Sequence, residues 1–140
     1  MFLNKEEIRK LEQKIGAVES LTSAEFRIII TPHAWFGLKR KAHKLFEKHQ
    51  LHNTSARNAV LILLVEKDHE LLIYGDEGIH EKVGNTFWNT ISENMLEMFR
   101  EGDIADGLAV GLQLLSDVLA EHFPVKKNST NEIPNEIIFD

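Results

Sequence analysis

The stretch from Arg57 to Gly78, RNAVLILLVEKDHELLIYGDEG, limits the folds open to this chain more than any other. Ala59 to Val65 is an almost unbroken run of Val, Ile and Leu. That is how a strand covered on both faces reads, and the run is too short to span a membrane. It is assigned as the central strand. The polar insert Glu66-Lys67-Asp68-His69-Glu70 then reverses the chain, and Leu71 to Tyr74 supplies a second short apolar run that stops at Gly75-Asp76-Glu77-Gly78. The pattern predicts a β-hairpin. Because an antiparallel hairpin sets the end of its second strand beside the start of its first, Asp76 and Glu77 are expected to return to Arg57 and Asn58.

The flanking segments supply what such a strand needs for cover. Asn4 reads as an N-cap with Glu7 three residues on, and Ile8, Leu11, Ile15 and Val18 follow at helical spacing. Glu25-Phe26-Arg27-Ile28-Ile29-Ile30-Thr31 reads as a first strand ended by Pro32. From Ala34 to His49, Trp35, Leu38, Ala42, Leu45 and Phe46 keep one helical stripe while Lys39, Arg40, Lys41, Lys44 and Lys48 take the other face. Strand, helix, strand makes a βαβ unit with parallel strands. Beyond the hairpin, Val83, Phe87, Ile91, Met95 and Met98 predict one long helix from His80 to Arg100, and Trp35, Phe87, Trp88 and Phe99 are read as core or partly buried packing. Asp103 then opens a last helix ending near Phe123. The expected architecture is α/β: a three-layer α/β/α sandwich with a small mixed sheet and helices on both faces. Residues 1–125 are expected to form the single domain. Residues 126–140 are expected to be a polar, mobile tail with a short apolar end that docks in extended form.

Composition narrows the function classes. At 140 residues the chain suffices for one buried core, and it holds no cysteine, so a disulfide framework, a thiolate nucleophile and a zinc-cysteine site are excluded. A net charge of -6 argues against nucleic acid as a partner and is compatible with a cation. The N-terminus lacks a positive segment followed by an apolar one, and no transmembrane segment is visible. The expectation is a monomeric cytoplasmic protein.

No phosphate-binding glycine loop, dinucleotide fingerprint, His-Glu-x-x-His or Gly-x-Ser-x-Gly motif occurs, and no catalytic residue is assigned. What remains is an acidic corner. Parallel pairing puts Glu25 on the same sheet edge as Arg57 and Asn58, where Asp76 and Glu77 arrive from the hairpin. Asp103 and Asp106 would join them if the last two helices run up and back across the sheet. Clustered carboxylates suit a hard cation, Ca²⁺ or Mg²⁺, and Arg57 with Asn58 is the candidate anion or phosphate contact. The same acids also serve as turn and cap residues, and Glu25 as a solvated strand edge. The basic helix face, with His43, His49 and His52 interleaved, reads as a solvated surface or as a contact for a phosphorylated partner or an anionic lipid surface.

An ordered series of short stretches resembles the TPM domain family. The series runs through Thr22-Ser23-Ala24-Glu25-Phe26-Arg27-Ile28, Arg57-Asn58-Ala59-Val60-Leu61-Ile62 and Tyr74-Gly75-Asp76-Glu77-Gly78-Ile79. It continues through Trp88, Met95, Phe99, Gly102-Asp103-Ile104, Gly107-Leu108 and Phe123-Pro124 to Asn131-Glu132-Ile133-Pro134-Asn135-Glu136. The likeness is to compact bacterial members. It implies an α/β/α sandwich, Ca²⁺ at acidic loops on one sheet edge in some members, an acid phosphatase activity in a plant-type member, and envelope association in relatives. Mapped here, the family's loop positions fall on Asp76, Glu77 and Asp103, with Glu25 and Asp106 as further candidates. The aspartate motif that opens longer members is absent, and Ala24 replaces the usual glycine, which implies a weaker site. Three readings follow: a weak cation-binding domain acting mainly through an unidentified protein partner, a metal-assisted phosphatase, and a ligand-free scaffold.

Overall fold

A computed structural model describes residues 3–84, 86–125 and 133–140. The polar stretch 126–131 expected to be mobile lies outside the described residues. The chain runs α1 (Lys5–Glu19), β1 (Glu25–Thr31), α2 (Leu38–Lys48), β2 (Ala59–Val65), a 3-10 turn (Lys67–His69), β3 (Glu70–Gly75), α3 (Glu77–Val83), α4 (Asn89–Arg100), α5 (Ile104–His122) and β4 (Ile138–Phe139). The four strands form one mixed sheet in the order β3-β2-β1-β4. β1 pairs parallel with β2, Glu25 opposite Ala59, and β2 pairs antiparallel with β3, Val60 opposite Gly75. This is the α/β sandwich expected.

Alternation along the strands divides the core in two. Phe26, Ile28, Ile30, Val60, Ile62, Leu64, Leu71 and Ile73 pack against α1, α4 and α5, while Ile29, Leu61, Leu63 and Val65 pack against Ala42, Leu45 and Phe46 of α2. Among the described helices, none is long and apolar enough to cross a membrane.

Two helix expectations need correction. The second helix starts at Leu38 rather than Ala34, because Gly37 at its N-cap has φ 102°, a conformation that L side chains rarely adopt. The helical stripe therefore does not reach Trp35, which stands 75% exposed instead of packing in the core. The long helix from His80 to Arg100 is two helices, broken where Gly84 takes φ 78°. The apolar period spans that break because Val83 and Phe87 still pack on the same core as Ile91 and Met95.

The segment after residue 132 straps the edge of β1. Ile138 and Phe139 pair with Ile29 and Ile30, and Asp140 donates its amide to the Ile30 carbonyl at 2.9 Å. Upstream, Glu25 accepts the Ile133 amide at 3.0 Å and Glu12 the Ile137 amide at 2.8 Å, while Arg27 donates to the Pro134 carbonyl at 2.7 Å. Beside them Glu19 accepts the Phe26 amide at 2.9 Å. Each carboxylate thus satisfies a backbone N–H that no strand or helix partner reaches.

Two outcomes are expected. Burial pushes the Glu19 carboxyl up to about 7, opposed by the Phe26 amide and reinforced by Glu25. Between the ordinary value of 4.5 and that raised value the folded protein holds a proton the unfolded chain has released. Stability therefore falls as pH rises through this window and levels off above it. Glu19→Gln keeps an acceptor without the charge, so it should flatten this slope and add on the order of 1–2 kcal/mol at about pH 8, read from urea midpoints across the range. Secondly, a Cβ on Gly78 would run into the Ala56 carbonyl oxygen and sit 2.6 Å from that of Arg57. Gly78→Ala should therefore destabilise by roughly 1–3 kcal/mol in the same assay, despite alanine's helix preference of about 1 kcal/mol.

Candidate functional site

The hairpin delivers Asp76 to Arg57 as its register requires. Asp76 donates its amide to the Ala59 carbonyl at 3.0 Å, and the Gly78 amide donates to the Arg57 carbonyl at 2.9 Å. Arg57 itself sits at φ 52°, a left-handed conformation unusual for a long side chain, and its amide is tied to the Thr54 carbonyl at 3.3 Å. That conformation is held by the turn on one side and the start of α3 on the other. The result is a bidentate pair: Arg57 Nε donates to Asp76 Oδ2 at 2.7 Å and Nη2 to Oδ1 at 2.8 Å. Arg57 Nη1 also lies 3.2 Å from Glu77 Oε1. The Asp76 carboxylate, then the charges of Asp76 and Glu77, hold the Arg57 guanidinium above its ordinary pKa.

Asp76 has a second task, because Oδ1 accepts the Glu77 amide at 2.8 Å and so caps α3. The exposures differ across the trio. The Asp76 side chain is 6% exposed, that of Arg57 40% and that of Glu77 66%. A buried carboxylate therefore anchors a half-exposed cation, with an exposed carboxylate at the rim.

In front of the pair, α2 and β3 enclose a shallow cleft of about 330 Å³ lined by His43, Phe46, Glu47, His52, Arg57, Tyr74 and Asp76. The two ring nitrogens of His43 lie 3.2 Å from the Tyr74 hydroxyl and 3.2 Å from Glu47 Oε1. Burial, then the Asp76 and Glu47 carboxylates, raise the Tyr74 pKa. Tyr74 and Glu47 were absent from the sequence candidates. The signal was available: Tyr74 lies opposite Leu61 on the α2 face of the hairpin, and His43 and Glu47 are one helical turn apart.

The acids expected to converge do not all do so. Glu25 begins β1 on the same edge, yet it is neither at the corner nor solvated, being 5% exposed and bonded to the Ile133 amide. Asn58 is also buried, and its side-chain amide donates to the Ser23 carbonyl at 3.1 Å rather than facing the cleft. Asp103 and Asp106 lie at the far side of the sheet. α4 starts on the Asp76 edge, where the Trp88 ring packs over Gly75, and α5 ends on that edge, where Phe123 accepts the Ser23 amide at 2.9 Å. The helices do run up and back, so the turn between them is about a helix length away, roughly 18 Å along the 12 residues of α4 and about 28 Å along the 19 residues of α5. Asp103 holds the N-cap position there without a side-chain capping bond among the described residues, and its carbonyl accepts the Gly107 amide. Among the described residues, no three His, Asp or Glu side chains are grouped to hold a metal ion. His49 is likewise engaged elsewhere, 2.7 Å from Asp140 Oδ2.

The chain is similar over its whole length to the BA42 protein of the psychrophilic bacterium Bizionia argentinensis, solved by NMR, with a TM-score of 0.93, 31% identity and 97% of that chain covered. It shares its fold with the N-terminal domain of a P. gingivalis protein at a TM-score of 0.72 and 21% identity, over 87% of this chain and 79% of that one. No curated protein matches. The sequence model of the TPM domain matches residues 1–118, and with that match the chain belongs to the TPM domain family.

Proposed function

We propose that this TPM domain is a binding module that takes a divalent cation, Ca²⁺ or Mg²⁺, weakly at the Asp76–Glu77 corner and acts mainly through partner interactions. One observation carries the reading: two carboxylates from consecutive residues converge on a single half-exposed guanidinium. Arg57 occupies the place that a hard cation would take, and the surrounding donors are the oxygens such an ion prefers. An entering ion has to displace a bidentate pair and gains only two protein carboxylates, so its affinity is low. Glu25, Asp103 and Asp106 take no part in this smaller site. A phosphatase role has less support, because the arginine that a phosphate ester would need is already held by Asp76 and Glu77.

The competition can be measured. Metal-stripped protein titrated with Ca²⁺ and Mg²⁺ should show a raised melting point, with amide shifts centred on residues 76–78. Saturation at ten times Kd corresponds to about 1.4 kcal/mol. Arg57→Gln, which removes the internal cation and leaves both acids, should tighten binding by roughly tenfold or more. Asp76→Asn in that background should abolish it. Absence of any response in both the native protein and Arg57→Gln would end the cation reading.

A further inference from the structure

The turn that precedes α2 carries a second surface, which does not depend on the Arg57 corner. We infer that Trp35, Phe36 and the adjoining cations dock the protein on the surface of an anionic lipid bilayer. Trp35 is 75% and Phe36 78% exposed, well above the other exposed large apolar residues among the described ones, of which Val125 at 50% is next. They are consecutive residues on a turn closed by the Gly37 amide donating to the Ala34 carbonyl at 3.1 Å. Their side chains are ordered by neighbours. His33 stacks on Trp35 with ring centres 3.8 Å apart and planes within 4°, and the Arg40 guanidinium lies 6.0 Å from the centre of the Phe36 ring. A shallow cavity of about 430 Å³ opens between these rings and Arg40, Lys41 and Lys44.

Charge selects the occupant. From Pro32 to Phe46 the sequence contains no Asp or Glu, while Lys39, Arg40, Lys41 and Lys44 lie within it, in a chain whose net charge is -6. The turn and the outer face of α2 therefore carry a local excess of positive charge in an acidic chain, and an anionic surface would attract this part. Two aromatic rings beside long cationic side chains match the layering of a bilayer interface, where Trp and Phe enter the boundary zone and Lys and Arg reach headgroup phosphates. The rings stand on a turn and border only a shallow, open cavity, so a fluid surface can receive them without a shaped counterpart.

The experiment uses the native chain with vesicles of phosphatidylcholine alone or mixed with phosphatidylglycerol. Co-sedimentation is expected with the mixed vesicles, weakening with salt, and to be at least roughly tenfold poorer with the neutral ones. Brominated lipid should quench Trp35, since Trp88 is 6% exposed and packed in the core. The double substitutions Trp35→Ser with Phe36→Ser, and Lys41→Glu with Lys44→Glu, should each weaken binding by about tenfold or more at an unchanged melting point. The inference is overturned if anionic vesicles do not sediment the protein at low salt, or if binding survives both variants. It is also overturned if polyglutamate binds in a variant-sensitive way while vesicles do not, which would make the face a protein-docking surface.

Discussion

All seven residues of β2 are buried, alternate side chains entering the two halves of the core. A strand in that position has no water to satisfy its backbone, so both flanks must be paired, and β1 and β3 do this over nearly its whole length. Those two pairings fix everything that matters at the candidate site. The parallel one puts the start of β1 level with the start of β2, and the antiparallel one returns β3 to the same edge. Arg57 and Asp76 meet because β2 cannot be left uncovered.

The carboxylates share a theme that composition does not reveal. Glu12, Glu19, Glu25 and Asp76 each accept a backbone amide, at Ile137, Phe26, Ile133 and Glu77 respectively. Several negative side chains in this protein clamp the main chain rather than face solvent as free charges. Acidity by itself therefore carries little information about ligands here. The informative feature is that Asp76 and Glu77 share a cation, and that the cation belongs to the protein.

Much of this was legible in the sequence. The capping box at Asn4 and Glu7, the three main strands and the hairpin return all follow from local patterns. What misled was the assumption that one uninterrupted stripe means one helix. Gly37 and Gly84 take conformations that end helices, while the side chains on either side of Gly84 keep facing the same core. The stripe records burial and not continuity. The expected gathering of five acids failed for a different reason, one of length. An up-and-back helix pair begins and ends on one edge, so its turn belongs to the other, and Asp103 and Asp106 are carried away from Asp76 by the very arrangement thought to bring them close. Glu25 was misjudged because its partner, the Ile133 amide, is 108 residues away in sequence and makes no local pattern.

That separation bears on how the protein comes into being. β1 and β2 can pair once Val65 has been made, but among the described residues the strand partners on the outer flank of β1 are Ile138 and Phe139. During synthesis, a strand whose side chains are destined for burial presents an unpaired row of backbone donors and acceptors until the strap arrives. That is the configuration from which sheets recruit strands of other molecules. The short β4 thus acts as a stopper on intermolecular association, and the hazard it closes is greatest in the interval before Ile138 and Phe139 emerge.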